Sequence, residues 1–382
     1  MAKITSNTRF WVRLISFLAP FVIIFILFTG LLIYSGESMP LAWVAQMQMS
    51  SEPILYRPRY GNRDLAFKLV SANLRAAPIL ALGSSHILQF RSGFFTGGLE
   101  TFYNAGAPAW TLTQLSTFVN QLDANAIPQV LILSLDHPWF NRDYHGDTFP
   151  DPVSDFDQIF RINRSFIQDV FDGETFDFQQ LLTRQSSDGV STGLGLRALQ
   201  DGHGFRNDGS EQYGDFLIAE YLMPELERAR HMEWMRDGYD MYIYGDEVDA
   251  ERVAQLTAIL DWASSHNILV IGFLPPYMPS LYTEIVQNDQ YGYIHDLPAT
   301  LAPLFSERGF HFLDYSNPEL LQAQDTDFFD GWHASELIYL RLYLDMVSQV
   351  PAVLSPYTDV EYLRQIEANA QNTFDVFGFH FE

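Results

Sequence analysis

Hydrophobic residues recur along this chain in three distinct ways. From Leu14 to Gly36, "LISFLAPFVIIFILFTGLLIYSG" runs without a charged residue, long enough at ~1.5 Å per residue to cross ~30 Å of hydrocarbon as one helix. Four shorter runs follow: "PILALGS" (78–84), "PQVLILSLD" (128–136), "NILVIGFLP" (267–275) and "FHFLDYS" (310–316). Each is too continuously apolar for a sheet with one wet face, so each predicts a strand buried on both sides. Between them, helical spacing predicts helices at about 111–124, 249–265, 292–307 and 333–349. This alternation predicts an α/β domain whose mostly parallel sheet carries helices on both faces, a three-layer sandwich, preceded by one N-terminal transmembrane helix.

The flanks of the first helix set its expected orientation. Lys3, Arg9 and Arg13 precede it and Glu37 follows, which places residues 1–13 in the cytoplasm and the bulk of the chain outside. The span exceeds the ~7–15 apolar residues of a cleaved signal peptide and no small-x-small site follows closely, so residues 14–36 are expected to remain as an anchor. Pro20 is compatible with a membrane span, where neighbouring groups can satisfy the freed carbonyl. Residues 37–77 read as a membrane-proximal segment with a short helix in "RPRYGNRDLAFKLVSANL", and 78–382 as the domain proper. Between about 140 and 245 the alternation fails. That stretch, rich in Asp, Gly, Gln and aromatic residues, is expected to be an insertion, either lining a crevice at the strand ends or forming a surface excursion with a small core of its own.

Composition narrows the partners. The 382 residues include no cysteine, which removes disulfides and thiolate metal sites, and the formal charge of −25 argues against nucleic acid. Only Lys3 and Lys68 are lysines, so solubility rests on carboxylates, amides and arginine.

Candidate chemistry begins where the first strand ends, in Gly83, Ser84, Ser85 and His86. A serine there exposes its hydroxyl beside the backbone N–H groups of a helix start, the place for a nucleophile and an oxyanion. Gly-Ser-Ser is equally ordinary turn and N-cap chemistry. A nucleophilic serine needs a base and the base an orienting carboxylate. Among the ten histidines, His333 alone has an aspartate three residues earlier, Asp330, in "FFDGWHASELIYL". That spacing lets one turn present both side chains to a crevice, with His333 at the start of the last long helix. The plain alternative is an aspartate capping a helix that contains His333. Asp136, His137, Asp143 and His145 form a local cluster, but their spacing matches no familiar metal site. Trp234, Tyr239, Tyr242 and Tyr244 of the insertion suit sugar stacking or, more simply, core packing.

Taken together, Gly83-Ser84-Ser85, the Asn104-x-Gly106 of "YNAGAPAW" and Asp330-x-x-His333 occur in the order found in SGNH/GDSL-type hydrolases and acyltransferases, which this chain resembles over about residues 78–350. The resemblance implies Ser85 as nucleophile, Asp330 and His333 as its partners, and Gly106 as a backbone oxyanion donor beside Ser85, with Asn104 and Ser84 around the pocket; His86, directly after the nucleophile, is either a pocket residue or a partly buried structural histidine. One block departs: where the family commonly carries Gly-x-Asn-Asp, this chain has "SLDHPWF", and the ionised Asp136 cannot donate a hydrogen bond. That departure, with the anchor, is similar to the membrane-anchored branch that includes D-alanyl-lipoteichoic-acid transfer and alginate O-acetylation proteins. The resemblance implies extracytoplasmic acyl transfer, with acetyl as the leading acyl group, to or from a cell-envelope glycan. It needs no cofactor and implies a membrane-bound O-acyltransferase as partner. A glycan or lipid esterase, and a non-catalytic envelope assembly or binding protein on the same fold, are the other readings.

Overall fold

The computed structural model describes residues 6–61, 63–146, 155–214 and 224–378. Among these, nine strands form two sheets: β1 (Ile54–Tyr56), β2 (Ile79–Leu82), β3 (Phe102–Ala105), β4 (Val130–Ser134), β5 (Thr192–Leu194), β6 (Gly204–Phe205), β7 (Glu211–Gln212), β8 (Leu269–Leu274) and β9 (His311–Asp314). The larger sheet runs β3-β2-β4-β8-β9 with every neighbouring pair parallel. All four strands expected from the apolar runs lie in it. The hydrophobic pattern does not predict β3: it is four residues long, includes the polar Asn104, and owes its place to pairing with β2, Ala81 opposite Asn104.

Counted within the sheet the order is 2-1-3-4-5, a doubly wound arrangement in which ligands bind where the winding reverses, outside the carboxyl ends of the first and third strands. Here those are β2 and β4. The later crossovers all step the same way, and right-handed connection puts the helices Leu112–Asn120, Ala250–Ser265 and Gly292–Ser306 side by side on one face. The helix Glu336–Gln349 covers the other face: Phe90 lies between Phe273 of β8 (ring centroids 6.0 Å apart) and Tyr339 of that helix (5.4 Å).

The smaller sheet, β5-β1-β6-β7, joins segments that read as separate in the sequence. β1 comes from the stretch after the apolar helix and the other three from the 140–245 insertion, with β1 and β5 parallel and the remaining pairs antiparallel. The insertion therefore has no core to itself. Met39, Val44, Ile54, Tyr56 and Phe67 pack with Leu194 and Phe205.

The N-terminal apolar helix spans Ser6–Tyr34, and its last turns enter the domain. Leu32 is fully buried with Ile162, Phe166, Leu181, Leu196 and Leu199, a burial that contributes ~1.5–3 kcal/mol. Just beyond, Gly36 adopts a positive φ of 89°, and a Cβ there would lie 2.6 Å from Leu194 Cα, so only glycine lets the chain turn past β5. Glu37 then accepts the backbone N–H groups of Arg59, Tyr60 and Leu196, yet burial still pushes its carboxyl up to about 7.

Candidate active site

β2 ends against β4 so closely that a Cβ on Gly83 would lie 2.8 Å from Ser134 Cβ, which explains the glycine at the strand end. Ser84, in extended conformation, accepts the N–H of His86 (3.1 Å) and so caps a short 3-10 turn, Ser85–Gln89. Ser85 stands first in that turn, half-buried, at the switch point.

Ser85 Oγ lies 2.7 Å from His333 Nε2, and His333 Nδ1 lies 2.8 Å from Asp330 Oδ2. A ring nitrogen held against a carboxylate carries the proton, so Nδ1–H donates to Asp330 and Nε2 is left to accept from the Ser85 hydroxyl. The other Asp330 oxygen, Oδ1, accepts the backbone N–H groups of Trp332 (2.7 Å) and His333 (2.6 Å), which makes a tight loop rather than a helix cap. The last long helix starts at Glu336, so His333 sits in the loop before it and not in its first turn as expected. Within that loop Phe329 N–H donates to His333 O, and at its end Arg91, buried beyond the Ser85 turn, grips both oxygens of Glu336 at 2.8 Å.

Charge follows geometry. Burial alone would raise the Asp330 carboxyl. His333, the bond to it, and His231 hold it instead well below the usual carboxylate range. Burial would lower His333, but Asp330 outweighs that, with help from Glu211 and Asp136, and the imidazole titrates above its ordinary value. The pair is thus poised for a base whose cationic form is stabilised.

The remaining expected site residues divide. Asn104 does not face Ser85: its Nδ2 donates to the carbonyls of Ile87 and Phe90, and its Oδ1 accepts the N–H of Gly106 at 2.8 Å. The Gly106 N–H expected in the oxyanion hole is therefore engaged within its own loop, and the next N–H, of Ala107, donates to Ser84 O. The bonds of Gly106 and Asn104 thus shape the loop that follows β3. His86 and Asp136 come together. His86 Nδ1 lies 2.9 Å from Asp136 Oδ1 and 3.3 Å from Ser84 Oγ, both side chains are buried, and the ring sits 4.3 Å from that of Trp332 and 5.7 Å from that of His333. Asp136 occupies the departing block, at the switch point, and orients a histidine adjacent to Ser85.

The local Asp-His cluster disperses: His137 Nε2 lies 2.7 Å from Ser316 Oγ, Asp136 pairs with His86, and Asp143 and His145 are exposed. Tyr242 is core, edge-on to Trp332, whereas Tyr239 is exposed and packs on the half-buried Trp234. Sequence reasoning missed His231. It sits on the helix Pro224–Asp237, with Nε2 3.9 Å from Asp330 Oδ2 and Nδ1 2.9 Å from the Tyr242 hydroxyl, and burial lowers its pKa. No sequence spacing links a residue of the insertion to Asp330. The one trace is Gly331, where a Cβ would lie 2.6 Å from His231 Cβ. Neither a family model nor a curated protein matches the chain.

Proposed function

We propose that this chain is a membrane-anchored, extracytoplasmic acyltransferase of SGNH-like type that uses Ser85 to move an acyl group, most simply acetyl, to or from a cell-envelope polysaccharide. The observation that carries the reading is the hydrogen-bonded relay Ser85–His333–Asp330 at the reversal of a doubly wound sheet. Ser85 Oγ attacks the acyl carbonyl while its proton passes to His333 Nε2. The tetrahedral intermediate collapses, the C–O bond to the leaving group breaks, and His333 returns the proton to that group. A glycan hydroxyl then attacks acyl-Ser85 through the same base, and Ser85 is regenerated. With a proton on each ring nitrogen, His86 would give Nδ1–H to Asp136 and offer Nε2–H beside the Ser85 N–H at the developing oxyanion, the donor role that Asp136 cannot play. A membrane-bound O-acyltransferase supplying the donor fits an anchored enzyme whose substrate must arrive from the cytoplasm.

Retention of the anchor is part of the proposal. Removal of everything before about residue 45 would strip Leu32, Met39 and Val44 from two cores. Purified full-length protein is given p-nitrophenyl acetate with and without de-O-acetylated envelope polysaccharide. Acetyl recovered on the polysaccharide, absent in Ser85→Ala, is the expected result. Free acetate alone points to an esterase. Folded protein with no turnover points to the non-catalytic reading, which the engaged Gly106 N–H favours.

A further inference from the structure

The apolar helix does not reach the domain as a free stalk. Phe160 stacks on Phe25 with ring centroids 5.6 Å apart, Phe166 lies 5.7 Å from Phe28, and Thr29 Oγ1 donates to Asn163 Oδ1 at 3.1 Å. All three partners belong to the helix Asp155–Phe171 of the insertion. Depth can be read along the anchor. A ~30 Å span that begins after Arg13 ends near Ile33 and Tyr34, so Phe25, nine residues earlier, lies about 13 Å inside the outer boundary. Whatever packs on Phe25 and Phe28 is then at the level of the outer leaflet.

The helix Asp155–Phe171 has two faces. Ile162, Asn163 and Phe166 are buried against the anchor and its neighbours. Phe160, stacked on Phe25 yet 48% exposed, marks the edge between the two faces, and Arg164, the half-buried Ile167 and Phe171 continue from it at helical spacing on the outward side, where Phe171 is 84% exposed and Arg161 and Arg164 are exposed. The next short helix, Phe178–Thr183, also meets the anchor and leaves Phe178 (48%) and Leu182 (61%) outside. Asp157 is exposed near the helix start and Asp169 is paired with Arg59 and Tyr60, so the outward face itself presents large apolar side chains beside Arg161 and Arg164, the pairing of apolar and basic residues that suits a membrane interface.

We infer that the helices Asp155–Phe171 and Phe178–Thr183 are a second membrane contact, seated in the outer leaflet beside the anchor, with bilayer lipid as the occupant of the Phe160–Phe171 face. The surface is continuous with the anchor, which already demands lipid. The inference rests on the reading of residues 14–36 as a retained span. A lone span leaves a domain free to swivel, whereas two contacts fix which way the domain faces.

The absence of native cysteine makes the test direct. Single variants Phe21→Cys, Phe160→Cys, Phe171→Cys and Ala258→Cys of the full chain, each carrying a nitroxide, are reconstituted in phosphatidylcholine–phosphatidylglycerol vesicles. Collision with oxygen, which concentrates in the bilayer, is compared with collision with a water-soluble nickel chelate. Positions 21, 160 and 171 should favour oxygen several-fold over position 258, an exposed site on the helix Ala250–Ser265. If 21 favours oxygen while 160 and 171 match 258, the interfacial contact is wrong and the anchor stands. If 21 also matches 258, the anchor reading fails first. Shielding of 160 and 171 from both reagents, with spin–spin broadening removed by unlabelled protein, would mean that a second copy covers the face and would overturn the inference.

Discussion

At the scale of single residues, Asp330 divides its two oxygens between tasks, one fixing the backbone of its own loop and the other fixing the His333 tautomer. Asp330→Asn keeps the shape but offers an amide where a carboxylate stabilised the imidazolium. The expected outcome is a rate loss approaching the ~10⁴-fold that the same change causes in a serine protease. The pH profile gives an independent reading. His333 must be neutral to accept the proton and titrates above its ordinary value, so kcat/KM should fall as pH drops through a point above ~6.5. In Asp330→Asn the main raising influence is gone and that limb should move to lower pH. His86 yields a separate expectation. If it donates to the oxyanion, His86→Ala should cost about 10²–10³-fold in kcat with little change in KM, and Asp136→Asn should cost a substantial part of that by loosening the ring. Steady-state hydrolysis of an activated acetyl ester across pH supplies all of these values.

At the scale of elements, the triad is assembled by pieces distant in sequence. Ser85 follows β2 and His333 precedes the last long helix, and the Arg91–Glu336 pair bolts the two regions together inside the protein. Breaking one side of a buried pair leaves a charge uncompensated, so Arg91→Met should destabilise by ~3–5 kcal/mol. Glu336 is already pushed upward by burial despite its arginine, so it should neutralise in that variant. Adding Glu336→Leu should restore part of the loss, with Asp208 and Asp375, the other carboxylates near Arg91, accounting for the remainder. Urea unfolding of the two variants measures both. These elements also mark what the sequence could tell. β2, β4 and β8 announce themselves because burial on both faces demands continuous apolar runs, whereas β9 carries a similar run yet is a partly exposed edge strand, not the doubly buried one expected. Asp330 and His333 are legible because three residues separate them. β3, β5, β6 and β7 are two to four residues long, too short for a periodicity to show, and β5 and β6 in addition owe their place to β1, far back in the chain. The bonding of Gly106 N–H to Asn104 Oδ1 is hidden for a similar reason: a motif names residue types, not which acceptor a given N–H meets.

For the whole molecule, the consequence is that the last turns of the apolar helix, residues 37–77 and the 140–245 stretch pack together, although composition separates them. Leu32 lies in the apolar helix yet is core to the insertion, so Leu32→Ala should cost ~2–5 kcal/mol of domain stability, as other buried leucines do. A soluble form starting at residue 41 should melt lower than one starting at residue 28, because the first also loses Ser35 O, the acceptor for Gly195 N–H, and the Glu37 carboxylate. Glu37 adds a pH signature. Its folded pKa of about 7 lies above the ordinary carboxyl value, so its contribution is present below ~4.5 and lost as pH rises through 7. Scanning calorimetry at pH 5 and pH 8 on the wild type and Glu37→Gln should show the wild type losing more stability between the two.

The proposed chemistry requires that Ser85 become acylated. Full-length protein in detergent is reacted with p-nitrophenyl acetate, quenched in acid and digested, and its peptides are weighed. The predicted result is one acetyl increment on the peptide containing Ser85, localised to Ser85 rather than Ser84, forming faster as pH rises past the His333 titration and absent in Ser85→Ala. Folded protein that acquires no acetyl group, or acquires it on another residue at a rate indifferent to His333→Ala, would contradict it.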